Sequence, residues 1–258
     1  MVAIRLKTRE QIEQMRLACR LVRQVLDRIA GLIAPGVKTE QLDREAEKMC
    51  LDAGAECLFK GVPGRGGVGP FPAAICASVN EELVHGIPGN RVIREGDIIS
   101  IDFGVRINGW CGDSAETFIV GEVPQDVRRL VDTTRKVLEM AIDAMQPGKR
   151  WSKIAMAMQQ YVEQQGFAVV REFVGHGIGQ EMWEDPKVPN FLSRELESRD
   201  IVLEPGLVLA VEPMVNMGMA AVEYAPDGWT VRTRDRLPSA HFEHVVAVTT
   251  TGVEVLTR

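Results

Sequence analysis

The stretch from Ser100 to Phe118, SIDFGVRINGWCGDSAETF, decides the fold because it encodes a β-hairpin that carries paired acidic residues. Apolar or alternating residues run from 98 to 107 and again from 110 to 119. The dipeptide Asn108-Gly109 between these runs is typical of a two-residue type I′ turn, in which both central residues have positive φ. The sequence therefore predicts two antiparallel strands with a fixed register.

With this turn, Asp102 lies opposite Ala115 and Asp113 lies opposite Gly104. Side chains two positions apart share a face of a sheet, so the two carboxylates are diagonal neighbours, roughly 7–8 Å apart at the backbone. The opposite face of the first strand is apolar, with Ile99, Ile101, Phe103 and Val105. Two such carboxylates raise each other's pKa unless a cation lies between them. A three-residue turn would separate them, and an ordinary solvated face is the alternative interpretation.

The length and composition favour a soluble globular protein with one large α/β domain or two modest ones. The chain has 258 residues, of which 45% are hydrophobic and 26% charged, with a net charge of −6 and no basic run. This balance argues against nucleic acid or an anionic membrane as the main partner. The N-terminus has no apolar signal region, so we expect a cytoplasmic protein. The five cysteines form no C-x-x-C pair and predict neither a disulfide framework nor a cysteine zinc site.

Two helices are predicted before the hairpin. Thr8 and Gln11 form a capping-box pattern, and apolar residues at steps of three and four follow it. This pattern predicts an amphipathic helix that ends at Pro35-Gly36. A second helix, capped by Thr39, ends near Gly54.

The same order of a long helix, a Pro-Gly break and a second helix recurs 112 residues later. The recurring features are Arg23-x-Val25-Leu26 as Arg135-x-Val137-Leu138, Pro35-Gly36 as Pro147-Gly148, and Gly54 as Gly166. Several coincidences at one offset indicate a duplicated fold with a site between its halves. We therefore expect one domain over residues 1–258, with halves of about 1–120 and 121–258.

A glycine-rich segment follows the second helix. Gly64-x-Gly66-x-x-Gly69 matches the dinucleotide-binding pattern, but Pro70-Phe71-Pro72 and a strand come next, where that pattern requires a helix. We therefore exclude a nucleotide site and predict a mobile loop at the edge of a cleft.

The other candidate residues lie near predicted strand ends. His85 precedes a glycine, and His176 follows a predicted strand over 167–174 with glycine on both sides, which allows close approach of a ligand. Glu212 lies on an apolar strand face, where a carboxylate needs a cation or a donor. Glu243 is predicted on a strand with His241 on its face and His244 on the opposite face. Each residue alone also has an ordinary structural explanation.

Together these motifs resemble the series found in bacterial type I methionine aminopeptidases: HGIP, the Asp-x(10)-Asp hairpin, GHGIG, VEP and FEH. The resemblance implies an α/β (α+β) pita-bread fold, in which two halves related by a pseudo-twofold axis form a mostly antiparallel curved sheet covered by helices. It also implies a metallo-exopeptidase that removes the N-terminal methionine from nascent proteins and peptides, with a preference for a small second residue.

The resemblance further implies a dinuclear centre for divalent Co, Mn, Fe or Zn that generates the attacking hydroxide. By position, Asp102 would chelate one metal, His176 and Glu212 would bind the other, and Asp113 and Glu243 would bridge the two. The oxygen-rich donor set is consistent with such ions.

The resemblance assigns further roles. His85 would contact the scissile amide nitrogen, and Glu212 would also handle protons. The methionine pocket would be formed by Phe71, Cys76, Met182 and Trp229, although filling of the core is an alternative role for these side chains. Trp183 stands where the family has a second histidine, which predicts lowered turnover or altered substrate choice. His241 replaces a common glutamine and could contact the metal shell.

The implied partner is the N-terminal peptide of a nascent chain, and association with the ribosome is left open. No nucleic acid or membrane partner is expected, and the protein is expected to be a monomer. Two alternatives remain: a catalytically weak binding protein with the same fold, and an aminopeptidase of different N-terminal specificity, such as a proline-specific one.

Overall fold

The structure, a computed structural model, describes residues 4–258. Its helices are α1 (Arg9–Ala30), α2 (Thr39–Asp52), α3 (Gln125–Ala144), α4 (Trp151–Gln164) and α5 (Arg194–Ser198). Its strands are β1 (Glu56–Cys57), β2 (Cys76–Val79), β3 (Glu82–Val84), β4 (Ile98–Ile107), β5 (Trp110–Ile119), β6 (Ala168–Val169), β7 (Gly175–Gly177), β8 (Glu184–Val188), β9 (Val208–Val211), β10 (Met214–Asn216), β11 (Val222–Tyr224), β12 (Val231–Thr233), β13 (Ser239–His241), β14 (His244–Val248) and β15 (Val253–Val255).

The strands form four sheets in the described part of the chain, and all their pairings are antiparallel. One sheet has the order β1-β4-β2, with β5 paired to β4, and a larger one has the order β15-β14-β9-β7-β8. Two three-stranded sheets, β13-β10-β6 and β11-β12-β3, complete the set. The prediction of a mostly antiparallel fold with helices is confirmed.

The central hairpin has the predicted bounds and register. Asp102 pairs with Ala115, and Gly104 pairs with Asp113. Asn108 has a φ of 52° and its glycine neighbour a φ of 78°, as a type I′ turn requires. The side chains of Ile99, Ile101, Phe103 and Val105 on β4 are fully buried in a cluster with residues of α1 and α2. Packing of this face fixes the hairpin, so that the opposite, acidic face is aimed into the molecule.

The N-terminal helices differ from prediction in their ends. The Thr8–Gln11 capping box forms, but α1 ends at Ala30, before the predicted end at Pro35-Gly36. Thr39 was predicted as the cap of α2, yet it is the first helical residue. Its hydroxyl donates to the carbonyl of Gly89 at 3.1 Å and accepts from the same residue's N–H at 2.9 Å. The hydroxyl is therefore engaged by another segment and cannot cap the helix.

Repeated elements occur at the predicted offset. Both α2 and α4 have 14 residues, and they begin 112 positions apart. Each is preceded by an isolated antiparallel bridge, Lys38 to Val92 in one case and Arg150 to Val202 in the other. These pairs support a division into halves near residue 120, which stays a prediction. Among residues 4–258, no helix combines the length and apolar character needed to cross a bilayer.

Three strand predictions are corrected, the first being that Glu212, predicted on a strand face, lies one residue beyond the end of β9. The strand predicted over 167–174 is reduced to β6, and His176 lies within β7 rather than after a strand. Glu243 was predicted on a strand but lies between β13 and β14. There its backbone N–H donates to the carbonyl of Ala115 at 2.8 Å. The reason is that β13 pairs with β10 and β14 with β9, so the chain changes sheets at this residue.

Candidate metal centre

A cleft of about 610 Å³ contains every side chain that the sequence predicts as a metal ligand. These residues are Asp102, Asp113, His176, Glu212 and Glu243. The hairpin supplies the two aspartates, β7 supplies the histidine, and the glutamates lie where the chain leaves one sheet for the next. The structure thus brings together residues separated by more than a hundred positions.

The donor atoms at the floor of this cleft lie close to one another. His176 Nε2 lies 3.8 Å from Asp113 Oδ2 and 3.6 Å from Glu212 Oε1. One donor atom each of Asp113, His176 and Glu243 lies within 4.8 Å of the other two. Asp102 lies close enough to Asp113 for its negative charge to raise the pKa of the Asp113 carboxyl group. Such spacing leaves room for cations between the side chains.

Within residues 4–258, several of these carboxylate oxygens are buried without a hydrogen-bond partner. They are Oδ1 of Asp102, Oδ1 of Asp113 and Oε1 of Glu243. Asp113 is only 3% exposed and Glu243 only 2%. Unpaired buried oxygens are costly, and a bound ion is one of the few arrangements that satisfies them. Hard oxygen donors with one imidazole fit divalent cations. The residues present therefore fit the metal centre that the sequence predicts.

Burial also changes the protonation of these groups. It raises the pKa of Asp102 to about 7 and that of Glu212 to about 7. Burial, reinforced by the neighbouring carboxylates, raises the pKa values of Asp113 and Glu243 well above the ordinary range. Four carboxyl groups this close cannot all ionise at neutral pH unless positive charge lies among them.

His85 lies in the wall of the cleft, one residue after β3. Its φ of 59° is unusual for a residue with a side chain, and such conformations concentrate at functional sites. The imidazole packs edge-on against Phe173, with ring centroids 5.4 Å apart, and against Trp229 at 6.5 Å. Burial, followed by repulsion from His241, lowers the pKa of His85 to about 4. The ring is therefore neutral at neutral pH.

The four residues predicted to form the methionine pocket all line the cleft: Phe71, Cys76, Met182 and Trp229. The first three are buried in one apolar cluster, against which Trp229 packs. Phe71 and Trp229 meet edge to face at 5.2 Å, and the indole N–H donates to the carbonyl of Gly69 at 2.9 Å. Cys76 pairs with Asp102 across the sheet. The apolar wall thus directly adjoins the acidic floor.

Trp183 also lines the cleft, and its side chain is 57% exposed. The next residue, Glu184, forms a buried ion pair with Lys7 at 2.7 Å, which anchors this wall to the N-terminal segment. The sequence analysis missed this pair because the partners are 177 positions apart. It also missed Phe173 in the wall, although its position three residues before His176 could have indicated a role.

The histidines near Glu243 face opposite sides, as predicted. His241 lines the cleft, is 2% exposed, and has its Nε2 3.7 Å from Glu212 Oε2. His244 lies on the other side, where its Nδ1 is 2.9 Å from the hydroxyl of Thr257. The glycine-rich loop contributes Val62 and Arg65 to the cleft wall, consistent with its predicted place at the edge.

An antiparallel α/β fold with a deep acidic cleft and an imidazole among its carboxylates defines a metal-binding protein. Comparison with known proteins agrees with this class. The model of metallopeptidase family M24 matches residues 13–250.

Relatives extend the match over nearly the whole chain. Methionine aminopeptidase 1 of Bacillus subtilis is 46% identical over 252 residues, which cover 98% of each chain. The methionine aminopeptidase of Escherichia coli K12 is 40% identical, with coverage of 99% of this chain and 94% of that one. The crystal structure of methionine aminopeptidase from Thermotoga maritima superimposes with a TM-score of 0.92 at 40% identity, covering 99% of this chain and 100% of that chain.

The chain belongs to metallopeptidase family M24 and, within it, to the bacterial type I methionine aminopeptidases. Its helices and antiparallel sheets form the pita-bread fold that the motifs predict, which is confirmed. The family also confirms divalent metal binding, whereas the number of ions, their identity and the role of each residue remain predictions.

Proposed function

We propose that this protein is a metal-dependent aminopeptidase that removes the N-terminal methionine from nascent proteins and peptides with a small second residue. One observation carries the proposal: the acidic floor of the cleft directly adjoins an apolar pocket, through the pairing of Asp102 with Cys76. A free amine and an unbranched apolar side chain are the two features by which an N-terminal methionine can be recognised, and they would fit these two surfaces.

Two divalent ions, of Co, Mn, Fe or Zn, are part of the proposal. Asp102 would hold one ion, His176 and Glu212 the other, and Asp113 and Glu243 both. When bound, such ions act as Lewis acids toward the scissile carbonyl and make water a stronger nucleophile. Four carboxylates would balance the charge of two divalent cations.

The apolar pocket would bind the methionine side chain. Phe71 and Trp229 present ring edges and faces, with which a thioether makes favourable contacts. Met182 and Cys76 complete the apolar surface. Discrimination in such a pocket is worth roughly 1–3 kcal/mol per methylene.

His85 and Glu212 would move the protons. The neutral imidazole of His85 would lie against the scissile amide nitrogen and assist departure of the new amine. Glu212 would accept the proton that the attacking water loses. The exposed Trp183 would contact the peptide at the mouth of the cleft.

The cellular location, oligomeric state and partners of the protein are part of the same proposal. The substrates would be nascent chains in the cytoplasm, acted on by a monomer, with no nucleic acid or membrane partner. Contact with the ribosome is not required for this chemistry.

The test is release of methionine from the peptide Met-Ala-Ser by protein that has been stripped with a chelator and then given Co²⁺, Mn²⁺, Fe²⁺ or Zn²⁺, one at a time. We expect release with at least one ion and none with chelator alone. Leu-Ala-Ser should be cleaved at least about 10-fold more slowly, because a branched side chain fits the pocket poorly. A peptide that begins with Ala-Pro should not be cleaved.

Matched variants link the activity to the cleft. Asp113→Asn should abolish release, whereas Asp126→Asn should leave it unchanged, since Asp126 lies on the exposed side of α3. Metal binding without release from any peptide would instead indicate a binding protein. Cleavage of the Ala-Pro peptide but not of Met-Ala-Ser would indicate a different N-terminal specificity.

A further inference from the structure

His241 is a buried histidine that the chemistry proposed above leaves unused. Its side chain is 2% exposed, and its Nε2 has no hydrogen-bond partner within the described residues. Its backbone is held on both sides by Thr117, whose hydroxyl donates to the His241 carbonyl at 2.8 Å and accepts from its N–H at 2.9 Å. Pairing of β13 with β10 holds it further. The imidazole is therefore fixed in place with a polar atom unsatisfied.

The unsatisfied nitrogen points toward Glu212. His241 Nε2 lies 3.7 Å from Glu212 Oε2, while His176 Nε2 lies 3.6 Å from the other oxygen, Oε1. The carboxylate thus lies between two imidazoles. Its backbone carbonyl accepts from Asn190 at 3.0 Å, but neither side-chain oxygen has a hydrogen bond of normal length within residues 4–258.

The two imidazoles have different neighbours. His176 belongs to a compact cluster of donor atoms with Asp113 and Glu243, whereas His241 is not part of the cluster found among the described residues. Glu212 also lies outside this cluster of Asp113, His176 and Glu243, but its Oε1 faces the cluster histidine, His176. Because His241 Nε2 lies beside the other oxygen of that carboxylate, it is placed to orient Glu212 rather than to bind the ion.

We propose that His241 is a positioning residue for the metal centre. Its Nε2–H donates a hydrogen bond to Glu212 Oε2, which leaves Oε1 turned toward His176 and the ion. A movement of roughly 0.7 Å brings the pair to normal hydrogen-bond length. The neutral tautomer with its proton on Nε2 is the form that donates. This inference rests on the proposed metal centre, but not on the peptide that the protein cleaves.

The test is calorimetric titration of Mn²⁺ into the metal-free full-length protein, without peptide. His241→Leu removes the donor and should weaken Mn²⁺ binding by about 10- to 100-fold, the usual effect of losing a group that orients a metal ligand. His241→Gln retains an N–H donor at a similar reach and should bind close to the wild-type affinity. His244→Gln, a matched change on the other side of the chain, should have no effect.

Circular dichroism of each variant checks the fold. If His241→Leu does not fold, His241→Asn replaces it, since its shorter amide cannot reach Glu212. Wild-type affinity in the donor-free variant would overturn the inference. So would equal loss in the Leu and Gln variants with an altered Co²⁺ absorption spectrum, which would make His241 a ligand. Failure of the wild type to bind Mn²⁺ would overturn it as well. Metal binding without methionine release would overturn only the proposed function.

Discussion

The carboxylates of the cleft are individually unfavourable in the metal-free protein. Asp113 and Glu243 are almost fully buried, each with an oxygen that lacks a hydrogen-bond partner in the part of the chain that the structure describes. Burial of charge without compensation costs several kcal/mol per group, and groups so placed hold protons instead. Such an arrangement persists only when another component offsets this free-energy cost. In metallopeptidase family M24, to which the chain belongs, that component is a divalent metal ion. The buried carboxylates that destabilise the metal-free protein are thus the groups on which the proposed chemistry depends.

Trp183 permits a test at a single side chain. An indole donates one hydrogen bond, but it neither accepts a proton nor carries charge, whereas an imidazole does both. We expect Trp183→His to raise kcat/KM for Met-Ala-Ser, on the order of 10²-fold if the imidazole stabilises charge in the transition state. The melting temperature should not change, because the side chain is 57% exposed.

Trp183→Phe is the control for this substitution. It keeps an aromatic surface but adds no proton donor or acceptor, so it should show no gain. Equal rates for the wild type and the histidine variant in steady-state assays would contradict the idea that the tryptophan lowers turnover.

Among the secondary-structure elements, the sequence predicts the bounds and register of the central hairpin to the residue. It predicts the ends of the other elements less accurately. The Asn108-Gly109 turn fixes the register locally, so Asp102 and Asp113 fall on one face as expected. Glu212 and Glu243 could be recognised as candidates, but not as residues at changes of sheet. That placement depends on which distant strands pair, and no local pattern encodes it. For the same reason, the sequence could not show that Nε2 of His241 lacks a hydrogen-bond partner within residues 4–258.

The hairpin also depends on close approach to α1. A Cβ added at Gly112 would lie 2.6 Å from the backbone carbonyl carbon of Ala18 and 2.6 Å from the backbone nitrogen of Cys19. Because both atoms belong to a helix backbone, they cannot move aside cheaply. We expect Gly112→Ala to lower the free energy of unfolding by about 2–3 kcal/mol, measured by urea denaturation.

A second glycine provides the comparison for this measurement. A Cβ at Gly69 would meet no atom of the described residues within 4 Å, and the backbone of Gly69 does not have a positive φ. Gly69→Ala should therefore change stability by less than about 0.5 kcal/mol. If Gly112→Ala were equally neutral, the hairpin would not lie as close to α1 as the structure places it.

For the whole molecule, the site depends on both parts of the chain. Asp102 and Asp113 come from the hairpin, whereas His176, Glu212 and Glu243 come from beyond residue 124. Asp102 lies within β4 and Glu212 directly follows β9, and each of these strands begins two residues after a glycine of positive φ, Gly96 and Gly206. Because the proposed ligands come from both segments, a bound metal would connect the two sides of the cleft. The cation should therefore stabilise the entire fold by about 2.7 kcal/mol at a free concentration 100 times its dissociation constant.

The raised pKa values of Asp102 and Glu212 determine how the stability of the metal-free protein varies with pH. The folded-state pKa values of Asp102 and Glu212, about 7, lie above the unfolded values near 4. Their contribution to the stability of the metal-free protein is therefore complete below about pH 4 and is lost as the pH rises through 7. A bound cation reverses this trend, because it favours the ionised carboxylates.

Metal binding must consequently expel protons. At pH 6 most of the protons on Asp102 and Glu212 are still bound, so we expect Mn²⁺ binding to release them and its apparent affinity to fall as the pH drops below 7. At pH 8.5 these two groups are already ionised, and the release should shrink. Titration calorimetry in two buffers of different ionisation enthalpy measures the protons released, and Asp126→Asn should give the wild-type profile. A heat of binding that is independent of the buffer at pH 6 would mean that the carboxylates are already ionised in the metal-free cleft, held so by some other positive charge.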